Sequence, residues 1–311
     1  MWKLRRFGAA ASSWWREARR YDIWNVGIVT LDREPATLDD LRRLPAPRWL
    51  PERPPLYYVA DPFPYRDRGR TWLLVEDYGH PKGVYGRIAR VDVDAASPAL
   101  ETVIATPTHI SYPFTFEDDG RVYCAPETGA TAGCVLYRLA PDGGWSPAHR
   151  ILPEYRLVDP TFFRHADRWW LLATDTSDAG SSTLHGFVAD AVAGPWTPHA
   201  RNPLKIDRAS ARPAGRPFTL GGQLYRPAQD CRGTYGGAIQ IMAVDELTPT
   251  ALRERVALRL EADPSWPYPD GLHTLVIDGR RVYIDAKRAH VDPLLWLKVW
   301  TRRVSGSAGR P

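Results

Sequence analysis

The sequence predicts an all-β protein, a five-bladed β-propeller with short flanking helices, and three observations carry that reading. Five segments repeat one pattern at intervals of 51, 47, 57 and 57 residues, close to the period of about 40–50 residues that a four-stranded propeller blade needs. Turn formers and aromatics abound, with 29 Pro, 24 Gly, 13 Trp and 14 Tyr in 311 residues, which favours short strands and tight turns over long helices. Apolar runs are short throughout, so no membrane-spanning helix is expected.

In chain order, residues 1–22 form a basic amphipathic segment. Phe7, Ala11, Trp14, Ala18 and Tyr21 recur at helical spacing, with Arg16, Arg19 and Arg20 between them. Residues 23–288 form the propeller. Its opening string, Trp24-Asn25-Val26-Gly27-Ile28-Val29, reads as a strand able to pair with the last blade and close the ring. Each repeat then has a short apolar strand, a polar turn and an aromatic-rich strand. Ala60-Asp61-Pro62-Phe63 leads to Trp72–Glu76, and Ser111-Tyr112-Pro113-Phe114 leads to Val122–Glu127. Val158-Asp159-Pro160-Thr161-Phe162 leads to Trp169–Asp175, Gly215-Arg216-Pro217-Phe218 to Leu224–Asp230, and Leu272-His273-Thr274 to Val282–Asp285. Third strands fall at 86–93, 135–139, 184–189 and 238–244. Residues 289–311 are a C-terminal helix, capped by Asp292 with Pro293 at its first position, and a disordered tail.

The formal net charge is +5, with acids and bases interspersed. No concentrated basic stripe or nucleic-acid-binding motif is present, so nucleic acid is not an expected partner. Cys124, Cys134 and Cys231 form no CxxC pair and read as buried reduced thiols. No convincing secretory leader opens the chain, so the expected location is cytoplasmic. The Trp-rich basic flanks add an expected peripheral contact with an anionic membrane.

In a propeller the innermost strand of each blade lines the axis, so Asp61, Tyr112, Asp159, Arg216 and His273 are expected to converge at one mouth. Glu76, Glu127, Asp175, Gln229 and Asp285, from the ends of the second strands, form a second ring. Carboxylates crowded around one axis repel one another, which raises some pKa values and leaves others ionised. Cleavage of a glycosidic bond needs that division: one carboxylic acid protonates the leaving oxygen while a carboxylate activates water or attacks the sugar. Trp266 and Tyr268, in a Pro-rich loop before the last repeat, are expected to stack on a sugar face. Arg212, Arg216 and Asp230 complete the expected substrate contacts. Dispersed histidines argue against a zinc site, and no metal ligand set is assigned.

These strings, with Arg226-Pro227-Ala228-Gln229-Asp230 and Arg212-Pro213-Ala214-Gly215-Arg216, resemble one family from about Trp24 to Asp285. It is the propeller at the N-terminus of plant glucosamine inositolphosphorylceramide transferases, found alone in bacteria. It is more distantly similar to the five-bladed arabinanase and xylosidase glycosidases. The resemblance implies that Asp61 is the general base and that Asp159 tunes and orients the acid. It also places His273 near an axial water or an ion such as calcium. Those glycosidases carry their general acid as a Glu in a Glu-Gly-Pro string on blade four, where this chain reads Ala214-Gly215-Arg216. Glu127, with Glu76 behind it, is the candidate substitute. In the plant transferases the sugar transfer is attributed to a separate downstream domain.

Three functions follow as expectations. The first is an enzyme hydrolysing or transferring a glycosyl unit on an anionic or lipid-linked glycan, with Asp61, Asp159 and Glu127 as the catalytic set. The second is a glycan- or glycolipid-binding accessory module for a partner glycosyltransferase. The third is an enzyme of secondary metabolism that reuses the same mouth.

Overall fold

A computed structural model describes residues 20–79, 86–129, 131–176 and 182–291. Both predicted flanking helices, the tail and the Trp-rich segments expected to meet a membrane lie outside the described residues, apart from Arg20–Asp22 and Ala289–Val291, which are strand. Five antiparallel sheets make up the molecule. Blade one is β3 (Tyr57–Asp67), β4 (Arg70–Gly79), β5 (Arg87–Asp92) and β6 (Glu101–Ile104). Blade two is β7 (Ser111–Asp118), β8 (Arg121–Glu127), β9 (Cys134–Leu139) and β10 (Trp145–Ile151). Blade three is β11 (Leu157–His165), β12 (Arg168–Asp175), β13 (Thr183–Ala189) and β14 (Thr197–Pro198), with β15 (Lys205–Ile206) also on β13. Blade four is β16 (Phe218–Leu220), β17 (Gln223–Asp230), β18 (Ala238–Thr248) and β19 (Ala251–Leu260).

The last blade joins the two ends of the propeller. Its inner strands, β20 (Gly271–Asp278) and β21 (Arg281–Val291), are followed outward by β1 (Arg20–Thr30) and β2 (Arg48–Trp49). β1 pairs with β21 along its whole length, from Arg20 opposite Val291 to Thr30 opposite Arg281. The propeller therefore runs from Arg20 to Val291, past the expected bounds of 23 and 288, because the closing ladder extends that far. A short helix α1 (Asp39–Arg42) bridges β1 and β2.

Repetition shows in the turns as well as the strands. Arg68-Gly69, Asp119-Gly120, Ala166-Asp167 and Gly221-Gly222 each place two consecutive residues at positive φ between inner and second strands. That is the type I′ hairpin, whose twist matches the strands it joins. Between blades, the Phe after each Pro motif fills the core. Phe63, Phe114 and Phe162 are at most 1 % exposed, and the ring of Phe114 lies 5.1 Å from Phe63 and 6.2 Å from Phe162. Each such burial stabilises the fold by about 1.5–3 kcal/mol. Trp169 and Trp170 are likewise buried. All three cysteines are free and buried.

Candidate active site at one propeller mouth

The inner strands are broken at matching places. Pairing slips between Ala60 and Phe63, Ser111 and Phe114, and Val158 and Thr161. The residue at each slip is left-handed: Asp61 at φ 54°, Tyr112 at 44° and Asp159 at 52°. A non-glycine residue in that region is strained by about 1–2 kcal/mol, and a bulge of this kind re-aims a side chain out of the sheet. Here it also turns each backbone N–H toward the preceding blade. Asp285 Oδ2 accepts from Asp61 N at 2.8 Å, Asp61 Oδ2 from Tyr112 N at 3.0 Å, and Glu127 Oε2 from Asp159 N at 3.4 Å. The carboxylates thus stitch one blade to the next.

They also enclose a cavity of about 220 Å³, lined by Asp61, Glu76, Glu127, Asp159, Arg212 and His273 among others. All six are among the residues expected at the site. Arg212 holds Asp159 through Nε and Nη2 and reaches Glu127 at 3.8 Å. Gln229, one of the expected ligands, instead braces the site from behind by donating to Asp159 Oδ2 at 3.1 Å. His273 Nδ1 is 2.7 Å from Asp285, and its Nε2 is 3.6 Å from Asp61.

Burial raises the Asp61 carboxyl to about 6, against the pull of His273 and aided by repulsion from Asp285 and Asp159. Burial also lifts Glu76 well above the usual carboxylate range, with Asp61 and Glu127 adding to it. Glu127 is lifted by burial and by Asp159, with Arg212 opposing. Burial disfavours a charge on His273, but Asp285 and then Asp61 outweigh it and raise the imidazole above its ordinary value. One cavity thus holds three carboxyl groups displaced upward by burial, Asp61 to about 6 and Glu76 and Glu127 well above the usual carboxylate range.

Glu76 differs from its neighbours in one respect. Asp61, Glu127 and Asp285 all accept backbone N–H groups, whereas among the described residues the partner of the Glu76 carboxyl is His109 Nε2 at 3.5 Å. Burial lowers the His109 pKa, so that contact joins an acid to a neutral imidazole.

Five expected ligands lie elsewhere. Arg216 is not the counterpart of Asp61. Blade four reads Ala214-Gly215-Arg216-Pro217 where blade one reads Ala60-Asp61-Pro62, one residue longer, and Gly215 takes the left-handed position at φ 126°. Arg216 is carried to the far end of the axis, where Nη2 donates to Thr115 O. Asp175 lies one residue past the matching position: Glu76 pairs with Ala60, but Val158 pairs with Thr174. A one-residue offset reverses the face of a strand. The same alternation separates Asp230 from Gln229, and Asp230 is held by Arg232 at 2.7 Å and by Arg259. Trp266 and Tyr268 are 8 % and 3 % exposed and pack on Trp49 at 5.8 and 4.8 Å; they are core, not sugar platforms. Tyr112 reaches the site only through its backbone, its fully buried hydroxyl meeting Thr161 and Gly215 N.

Trp24, Tyr58, His109, Ser111 and Tyr235 line the cavity without having been singled out as site residues. Trp24 stacks on His273 at 4.0 Å, and Tyr235 meets His273 edge-on and Arg212 face-on. The Gly233-Thr234-Tyr235-Gly236-Gly237 loop, glycine-flanked and aromatic, was the available signal for Tyr235.

Among the described residues one trio, Asp61, His273 and Asp285, lies close enough to share a metal ion. The donors do not suit calcium, which takes six to eight oxygens. Asp285 already accepts from Asp61 N, His273 Nδ1 and Thr274 N, and Asp61 from Tyr112 N and Thr274 Oγ1. The trio is satisfied as a hydrogen-bonded cluster.

Fold and site together define a five-bladed β-propeller with an acid-lined pocket at one mouth. A family profile described as glucosamine inositolphosphorylceramide transferase 1, N-terminal, matches residues 52–266, and the chain belongs to that family. Glucosamine inositolphosphorylceramide transferase 1 of Oryza sativa subsp. japonica is 30 % identical over 207 residues, which is 64 % of this chain and 28 % of that protein. The Arabidopsis thaliana protein of that name is 30 % identical over 217 residues, 67 % of this chain and again 28 % of its own. The chain thus spans little more than a quarter of these relatives. Among solved structures, an exo-β-1,3-galactanase from Clostridium thermocellum superposes with a TM-score of 0.54 at 13 % identity, covering 73 % of this chain and 58 % of that one. A family 117 glycoside hydrolase from Zobellia galactanivorans gives 0.53 at 12 % identity over 85 % and 90 %. At such identities the likeness is one of fold.

Proposed function

We propose that the mouth hydrolyses or transfers a glycosyl unit, with Asp61 as base or nucleophile and a protonated glutamate as acid. The observation that carries this reading is one small cavity in which burial raises Asp61 to about 6 and lifts Glu76 well above the usual carboxylate range, the direction a general acid requires. Glu76 is the better donor, because it faces the cavity with no backbone bond and no contact to Arg212 among the described residues. Glu127 is the alternative. Asp159, clamped by Arg212 and Gln229, is a positioning residue. Such a cavity suits a single sugar ring, being below the roughly 300–1,000 Å³ of sites for larger ligands, and the exposed Tyr235 offers aromatic surface to it. The relatives' name, which joins glucosamine to an inositolphosphoryl lipid, supports a glycan or glycolipid substrate.

A panel of aryl glycosides tests the proposal. The wild-type chain should turn over at least one of them, and Asp61→Asn should lose at least about 10²-fold in kcat, the usual scale of general acid–base catalysis. Unchanged turnover in Asp61→Asn removes it from the mechanism. A second reading, an accessory module that binds without turning over, is favoured by the structural stitching that Asp61 and Glu127 also perform. Glycan-array binding with no turnover of any candidate glycoside selects it.

A further inference from the structure

The inner strands present a second cavity at their other ends. The mouth described above takes Asp61, Ser111, Asp159 and His273. Further along the same strands, Thr115, Phe116, Phe163, Arg164 and Arg216 line a separate space of about 500 Å³. The two cavities share no lining residue, and fully buried Phe63, Tyr112 and Phe114 occupy the strand positions between them.

Arg216 is the unusual member. Its Nη2 donates to Thr115 O at 2.8 Å and to Thr115 Oγ1 at 2.9 Å. No carboxylate lies within ion-pair distance of it among the described residues. Asp278, the acid nearest in influence, is already taken by both of its oxygens at 3.0 Å from Arg66. The other acid facing this space, Glu117, acts on Arg216 only at a distance. Arg164 stands on the rim, over the Trp169 ring at 5.6 Å. Three guanidinium groups thus face two carboxylates. Among the described residues Arg216 Nε and Nη1 make no hydrogen bond, and a partly buried guanidinium without a counter-charge favours an incoming anion. Each remaining N–H can donate a charge-assisted hydrogen bond to an oxygen of a phosphate or carboxylate.

We propose that this far cavity is a second ligand site, independent of the acid-lined mouth, which binds the oxyanion group of a small organic molecule through Arg216 and packs its body on Phe163. A phosphate monoester and a carboxylate share the required chemistry.

Isothermal titration with inorganic phosphate, glucose 1-phosphate and glucuronate tests it on the whole chain. At least one of the three should bind saturably, and the preferred one identifies the group and shows whether the body is read. Arg216→Gln should weaken that binding by about tenfold or more, the scale of a lost charged hydrogen bond, while Asp61→Asn leaves it unchanged. Arg164→Gln, a rim change that the fold tolerates, should weaken it by a smaller factor and decides the matter if Arg216→Gln does not fold. Wild-type affinity in both arginine variants overturns the proposal. So does loss of binding in Asp61→Asn, which would move the ligand to the acid-lined mouth, or no binding by any probe up to about 10 mM, where an anion held by one guanidinium should register.

Discussion

At the scale of single residues, the mouth gives up stability to hold a buried carboxyl group. Asp61 accepts Tyr112 N at one oxygen and Thr274 Oγ1 at the other, yet burial still raises its pKa from 3.8 to about 6. A group whose pKa is raised on folding contributes its stability at low pH and loses it as pH rises through the folded value. Between 3.8 and about 6 the unfolded chain has released this proton while the folded chain keeps it. Above 6 the ionised Asp61 therefore costs about 3 kcal/mol. Asn preserves both hydrogen bonds, accepting through its oxygen and donating through its nitrogen to the Thr274 hydroxyl, and carries no charge. Asp61→Asn should thus be more stable than wild type by about 2–3 kcal/mol at pH 8, with the gain vanishing near pH 4. Urea unfolding at the two pH values measures this, and an equal difference at both would contradict it. A catalytic carboxylate is expected to behave in this way, and a purely structural stitch is not.

At the scale of elements, the inner strand with its left-handed bulge is the unit that builds the site, and blade four shows what the unit requires. A Cβ on Gly215 would lie 2.0 Å from Leu275 O, in a backbone conformation that already disfavours a side chain. Gly215→Ala should cost about 3 kcal/mol or more, whereas Gly120→Ala, at a positive φ but in open space, should cost about 1 kcal/mol. Chemical denaturation of the two variants compares them, and similar losses would mean that the crossing of blades four and five is not tight. The bulge also explains which parts of the site were legible in the sequence. Asp-Pro, Tyr-Pro and Asp-Pro stand at matching places in three repeats, so Asp61, Tyr112 and Asp159 could be superposed by eye. The extra residue in Ala214-Gly215-Arg216-Pro217 shifted the register of the fourth, which sent Arg216 to the wrong end of the axis. Asp175 was misread for a related reason: the strand period of two is unforgiving, and only the pairing partner reveals the face. Trp266 and Tyr268 could not be separated from sugar platforms by composition alone, since the Trp49 they pack on lies more than two hundred residues away in sequence.

At the scale of the whole molecule, five blades close because β1 completes the blade begun by β20 and β21. That closure was readable from Trp24–Val29, an apolar string with no partner of its own nearby. It also supplies the site, since Trp24 in β1 stacks on His273. A chain beginning at residue 31 leaves β21 an open edge and exposes the core that Val26, Ile28 and Val29 bury. It should lose cooperative unfolding in a denaturant titration, and retention of the full transition would show that the ring stands without its clasp. Blade-to-blade hydrogen bonds from Asp285, Asp61 and Glu127 run through the same ring, so fold and chemistry share one set of side chains.

The separation of protonation states at the mouth is accessible without any substrate. In a carbon-13 NMR titration of the side-chain carboxyls, Asp61 should show its midpoint at about 6, with Glu76 and Glu127 still protonated where ordinary glutamates have ionised. Midpoints near 4 for all three would mean that the pocket holds no standing acid, and the proposed chemistry would have no proton donor.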